Sequence, residues 1–430
     1  MLPLLCTTSI ILGVVSHLQL FKQGEWERHV PTLAATYAYA IGLLSPIVVL
    51  ALAKLSVRDP LLLVSAFWIS YMTGLFGSIS LYRVFFHPLK AFPGPLGAKL
   101  SAWWTVKVSL PGYKLPIEIN KLHKKHGDFV RIRPREISIS HVDAIRDIHG
   151  PGTQTTTLHD LFTHLLNDDS PDSPFSSPPL IFDDFSIPRD LFFESELAIV
   201  AGSETTSSSL SALIYLLAIY PEKQSLLQQE LDGIRTDAED LSYQNLSANS
   251  SPFMDGCINE ALRLYPAVPG NMQRMTPPEG AWIAGKWIPG DTLVSTPTYT
   301  LHRDPRNFKH PNSFIPERWL APNSTSTSTS PTSTADSSLI LHKEAFHPFL
   351  IGAHSCAGKA LAFVEMRLVT ALLFRTFTIR LHSVEQTHIN ASANGTGASR
   401  FPLFDEQEPG YRTYFTAKPP PFEVLLERRG

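Results

Sequence analysis

Three apolar stretches open the chain, residues 2–20, 33–53 and 61–82, and none of them carries a Lys, Arg, Asp or Glu. Each matches the ~20 residues that a helix needs to cross a bilayer core. Three membrane-spanning helices are therefore predicted, the second and third joined as a hairpin by residues 54–60. The first run also has the length of a signal peptide, but it lacks a basic leading region and a small-residue cleavage site before Phe21, which favours a retained anchor. Burial in a soluble core is the competing reading, and three such runs in series ahead of a polar region are unusual for one. Arg83, Lys90, Lys99 and Lys107 come just after the last run and, by the positive-inside tendency, put the remainder of the chain in the cytosol. Lys54 and Arg58, in the hairpin connection, run against that tendency.

Beyond the apolar third run the pattern changes. Phe92-Pro93-Gly94-Pro95 cannot continue a helix and suits a hinge. Residues 120–127 read as the end of a basic helix, and 128–139 alternate as a strand hairpin turning at Arg133-Pro134. Residues 167–188 are rich in Pro, Ser and Asp and read as a loop. A helical run covers about 193–220 and stops at Pro221; another, amphipathic, covers 359–377. The Ser/Thr tract within 321–338 is too polar to bury and reads as a disordered surface insertion. The whole is mainly α with small β-sheets, divided into a membrane anchor at 1–86 and a globular body at 87–430.

Composition narrows the function. Charged residues make up 17% of the 430, against about 25% in an ordinary soluble domain, as an anchor would require. A net charge of −3 lacks the basic footprint of a nucleic-acid binder. Three cysteines, Cys6, Cys257 and Cys356, make no disulfide framework, and without a CxxC or Cys/His cluster they do not point to structural zinc. A single cysteine remains free to be catalytic or to bind one metal. The sequons at Asn323, Asn390 and Asn394 matter only on a luminal surface.

The strongest chemical signal surrounds Cys356. Phe349, Gly352, Cys356 and Gly358 precede the helical run, and this chain's own composition would produce that spaced pattern by accident about once in two thousand chains. A thiolate just before a helix is stabilised by free backbone N–H groups and the helix dipole, and an electron-rich sulfur can serve as axial ligand to a haem iron. The bland alternative is a buried free cysteine. Gly358 would let the backbone approach a flat macrocycle.

These residues resemble the haem-binding loop of the cytochrome P450 family, Phe-x-x-Gly-x-[Arg/His]-x-Cys-x-Gly. The resemblance implies that Cys356 is the proximal iron ligand of haem b and that His354 contacts a haem propionate. Further landmarks fall in family order. Ala201-Gly202-Ser203-Glu204-Thr205-Thr206 resembles the oxygen-binding helix, where Gly202 leaves room for dioxygen and Glu204 with Thr205 would relay protons. The Thr205 hydroxyl is expected to bond back to the carbonyl four residues earlier. Glu260-Ala261-Leu262-Arg263 and Pro316-Glu317-Arg318-Trp319 resemble the family's buried triad, Glu260, Arg263 and Arg318, a structural set whose charges offset one another's desolvation. Arg274 resembles a propionate-binding arginine, with a surface arginine as the alternative. His302-Arg303-Asp304-Pro305 and the hinge also fit. The flavour is that of fungal, membrane-bound members of secondary metabolism.

By that resemblance the chain is a haem-thiolate monooxygenase inserting one oxygen atom from O2 into an apolar small molecule. NADPH-cytochrome P450 reductase would supply electrons, and the endoplasmic reticulum would be the membrane. One part of the pattern is missing. Six helices, B′ to G in the family's lettering, should separate the early strands from the oxygen-binding helix and need about 90 residues or more. Here residues 145–151 still resemble the early region and 158–167 already resemble the helix before the oxygen-binding one, leaving a gap near 152–157. The lost segment would roof the substrate pocket. The alternative function is therefore a truncated, inactive remnant acting at most as a haem-binding or membrane interaction protein. A haem-thiolate isomerase or dehydratase is a minor third, in which Glu204 and Thr205 would be idle.

Overall fold

The computed structural model describes residues 2–22, 30–54, 59–110, 112, 114–151, 153, 189–234, 246, 251–270, 272–320, 339–382, 412–413, 416–418 and 421–429. The expected helix at 158–167, the loop at 167–188, the Ser/Thr tract and the three sequons lie outside the described residues. The chain divides into two compact units, Met1–Ala91 and Phe92–Gly430.

The first unit is built from the apolar runs. Its helices Leu2–Ser16, Val30–Tyr39, Ser45–Lys54 and Pro60–Leu81 are extended or joined by π turns at His17–Phe21, Ala40–Leu44 and Tyr82–Phe86. The turn at Ala40–Leu44 has a local cause. Pro46 has no N–H to donate and its ring crowds the carbonyl four residues back, so the helix widens just before it. Three spans result, Leu2–Phe21, Thr32–Lys54 and Pro60–Phe86, each long and apolar enough to cross a membrane. Small residues bring two of them together. A Cβ on Gly13 would lie 2.3 Å from the Tyr71 carbonyl oxygen and one on Gly74 2.2 Å from that of Ile10, so only glycine permits the crossing. Side-chain polar groups pair inside the unit: His17 with Ser78 at 2.8 Å, Tyr71 with Tyr37 at 3.1 Å, Trp68 with Ser45 at 2.8 Å. Such pairing removes the cost of unmet polar groups in hydrocarbon.

The second unit is mainly helical. After the hinge, whose Pro93 carbonyl accepts the Arg131 N–H at 2.7 Å, a basic helix Leu115–His126 leads into the strand pair β1 Phe129–Arg133 and β2 Glu136–Ile139. The predicted hairpin is there. Later in the chain come β3 Arg274–Met275, the hairpin β4 Ala281–Ile283 with β5 Lys286–Ile288, and β6 Leu293–Ser295. They complete a sheet of order β1-β2-β6-β3, in which β6 runs parallel to β2 and antiparallel to β3.

Four helices enclose the main core: Arg189–Ile219, Pro221–Asp232, Pro252–Leu264 and Lys359–Thr376. Leu216, Leu227, Met254, Ile258, Ala371 and Phe374 meet there with almost no exposure. Pro221 ends the first of these helices and, at a position where its missing N–H costs nothing, begins the second. Gln224 ties that second helix to β7, Phe377–Leu381, giving its amide to the Ile379 carbonyl and accepting the Ile379 N–H, both at 2.8 Å. The long helix Arg189–Ile219 is uneven along its length. Residues 197–204 are all exposed, Ile199 at 71%, whereas Leu213, Tyr215, Leu216 and Leu217 are at 1% or less.

Candidate active site at Cys356

The cysteine loop is shaped before the helix begins. Leu350 and Gly352 both take left-handed backbone angles, φ 55° and 75°, and the short turn Gly352–His354 comes next. At Gly352 the requirement is also steric, because a Cβ there would sit 2.0 Å from the His149 carbonyl oxygen. The Cys356 N–H donates to the Phe349 carbonyl at 2.9 Å, which folds the thiol back over the loop. Helix Lys359–Thr376 then starts from Gly358, so the positive end of its dipole lies next to the thiol in sequence, where it favours negative charge. Arg367 on this helix clamps Asp255 with two bonds of 2.7 Å. That pair holds the cysteine helix against Pro252–Leu264.

Cys356 is exposed and lines a cavity of about 200 Å³. The loop contributes Phe349 and Leu350, and Met366 extends the same wall; Thr205, Thr206 and Ser209 line it from the long helix, and Val268 and Met272 also line it. Thr205 and Cys356, about 150 residues apart, are thus brought to one space. Thr205 is half-buried, and its hydroxyl donates to the Ala201 carbonyl at 2.7 Å, as expected of a threonine in this helix. Glu204 is not among the lining residues. It is exposed, and its carboxylate accepts a hydrogen bond from Thr416 Oγ1 at 3.0 Å. Gly202 is exposed, and a Cβ there would meet nothing within 4 Å. Arg274 is 5% exposed, which removes the surface-arginine alternative, and its Nη1 donates to the Gln273 carbonyl at 2.8 Å. His354 lies in the short turn; its side chain is outside the described residues.

Behind this cavity sits a buried charge cluster. Glu260 receives two bonds from Arg263, at 2.9 and 2.8 Å, and one from Arg318 at 2.9 Å, with all three side chains at 0% exposure. Trp319 Nε1–H and the Ile315 N–H fill the remaining acceptor sites at 2.9 and 3.0 Å. Burial alone would raise the Glu260 pKa, but the two guanidinium groups override it and hold the carboxyl below its ordinary value. Arg263 spends its other N–H groups on the carbonyls of His302, Pro311 and Ser313. The cluster thereby locks three loop carbonyls to the helix that lies under the site. Sequence reasoning found the charged triad but not Trp319, whose place beside Arg318 in the motif was the available signal.

The residues fit a haem. The cavity wall is mostly apolar, and a Cβ added at Gly358 would find only the Cys356 sulfur, at 3.8 Å. The flank of the thiol is therefore open to a flat ring. No group of three or more His, Cys, Asp or Glu able to hold a metal occurs among the described residues.

Comparisons with known proteins agree. The family model described as Cytochrome P450 matches residues 189–399. The cytochrome P450 monooxygenase nodW of Hypoxylon pulicicidum is 29% identical, the match covering 87% of this chain and 91% of that one. The cytochrome P450 monooxygenase FCK2 of Fusarium pseudograminearum is 28% identical over 86% and 91%, and tryprostatin B 6-hydroxylase of Aspergillus fumigatus 26% over 87% and 90%. The nodW match runs over 522 positions, more than the 430 residues of this chain. Beside a thiol loop with an open flank and a clamped Glu260–Arg263 helix, residues 189–399 carry the match to the cytochrome P450 model, and over most of its length the chain is similar to fungal cytochrome P450 monooxygenases.

Proposed function

We propose that this site is that of a monooxygenase that adds one oxygen atom from O2 to an apolar small molecule of fungal secondary metabolism. The observation that carries the reading is the meeting of Cys356 and Thr205 at one apolar cavity. A haem held by Cys356 would supply the oxygen-activating chemistry. Around it, Thr205, whose own hydrogen is held by the Ala201 carbonyl, would accept a hydrogen bond from a water and so hold in place the water that carries the proton. Glu204, one residue away and exposed, would feed that threonine from solvent. The open space at Gly202 would take dioxygen, and Arg274 and His354 would hold the propionates. Electrons would come from NADPH through a reductase in the same membrane, the endoplasmic reticulum, to which residues 1–86 anchor the body at 87–430.

A second reading, a remnant without turnover, is favoured by three observations. About 150 positions of the nodW match have no counterpart here, since 522 positions draw on 87% of this chain, and helices B′ to G would account for them. The cavity, at about 200 Å³, falls below the roughly 300–1,000 Å³ of small-molecule pockets, and residues 197–204 of the long helix are all exposed. A chimera separates the two. With the corresponding segment of nodW inserted near residue 152, the remnant reading predicts that reductase-dependent NADPH consumption appears only in the chimera. Equal consumption by the unaltered chain would establish it as an enzyme in its own right.

A further inference from the structure

Away from Cys356, three buried polar atoms that make no hydrogen bond among the described residues belong to the wall of one cavity. They are Ser140 Oγ, Thr300 Oγ1 and Arg303 Nη1, and their residues line a space of about 250 Å³. Ser140 is 1% exposed and Thr300 5%. A buried hydroxyl or guanidinium N–H without a partner carries an uncompensated desolvation cost, and three such groups around one space call for a common partner. The space is many times larger than a single water needs. No residue lines both it and the cavity at Cys356.

Charge decides what that partner is. Asp128 and Asp304 also line the cavity, but both are spent on one guanidinium. Arg306 meets Asp128 at 2.7 and 3.1 Å and Asp304 at 2.6, 3.0 and 3.1 Å. His123 is neutral, its pKa lowered by burial to about 4, and its ring nitrogens are taken by the Gly127 carbonyl and the Ser138 hydroxyl, both at 2.9 Å. That leaves Lys124 and Arg303, two cations in the wall with no carboxylate partner among the described residues. The Arg303 guanidinium is held against the Tyr299 ring, 4.0 Å from its centre. Two unspent cations and two hydroxyls free to donate make the donor set of an oxyanion. We propose that this cavity binds a phosphate-type oxyanion, held by Arg303 and Lys124 and by the Ser140 and Thr300 hydroxyls. Its occupant joins three separate parts of the chain: the last turn of helix Leu115–His126, the residue that follows β2, and the short helix Thr298–Leu301 with the loop beyond it.

The test is a calorimetric titration of the full chain in detergent with inorganic phosphate, the ionic strength being held constant with chloride. The expected result is saturable binding of one phosphate per chain, weakened about tenfold or more in R303M and to a smaller extent in K124A, whose side chain is exposed. A wild type that takes up no phosphate, or an affinity that K124A leaves unchanged, overturns the proposal, and K124A decides the matter if R303M fails to fold. Repeating the titration in phosphatidylcholine vesicles with and without phosphatidic acid separates the two sources of such a group. If phosphatidic acid abolishes the uptake of free phosphate, a lipid headgroup fills the site; if the uptake is unchanged, the free ion is its ligand. Either outcome upholds an oxyanion site at Arg303 and Lys124.

Discussion

Glu260 is the residue on which the site's scaffold turns. Its carboxylate is met by two guanidinium groups, an indole N–H and a backbone N–H at full burial. Removing the charge would leave Arg263 and Arg318 buried without their counterion. E260Q is therefore expected to cost about 3–5 kcal/mol of stability, read as a lower denaturant midpoint of the full chain in detergent. A loss within the noise of surface substitutions would show that the cluster is not under tension. The triad could be read from sequence because two short motifs carry it. The Arg367–Asp255 pair could not, since its partners stand 112 positions apart and neither lies in a motif. Arg274 falls between these cases: the sequence favoured a site residue and kept a surface arginine as the alternative, and burial at 5% exposure speaks against the surface.

Among the elements, the cysteine loop and the long helix differ in how far their neighbours cover them. The loop is shaped by groups that are all present: the Phe349 carbonyl, the His149 carbonyl pressed against Gly352, and the Asp255–Arg367 clamp. G352A would add a Cβ into that carbonyl and strain a left-handed residue, at about 1–3 kcal/mol for the backbone alone. Thermal unfolding should show the loss, and an unchanged midpoint would mean that the loop relaxes away from His149. The long helix keeps closely to its sequence, since Pro221 sets its end and Thr205 bonds back to Ala201. Its environment is the part that sequence could not supply. Exposure of residues 197–204 depends on which elements cover them, and a string of apolar and small residues reads the same with or without a cover.

For the whole molecule, pH should act through buried neutral histidines. Burial lowers His123 and His347 to about 4, and drives His302 well below its ordinary value. The unfolded chain takes up these protons near 6.5 while the fold refuses them. The stability they contribute is thus complete above 6.5 and is lost as pH falls from 6.5 towards 4. Glu230, which burial raises to about 7 although it accepts the Phe253 and Met254 N–H groups, works the other way, its contribution falling as pH rises from 4.5 through 7. Three groups oppose one, so stability in detergent should fall on acidification from 7 to 4, and a midpoint that rises instead would overturn the assignment of neutral histidines. The fold class, the apolar spans and the Cys356 loop were legible because periodicity and spacing encode them locally, whereas the cavity depends on which distant elements meet around it. The assignment on which all else depends, Cys356 as the haem ligand, rests on a loop whose supports are all in place. It is checked by the absorption spectrum of the full chain, reconstituted with haem, reduced and exposed to carbon monoxide. A band at about 450 nm, the mark of thiolate ligation, is expected in the wild type and should disappear in C356A. A wild-type spectrum without that band, or a C356A spectrum that keeps it, would contradict the assignment.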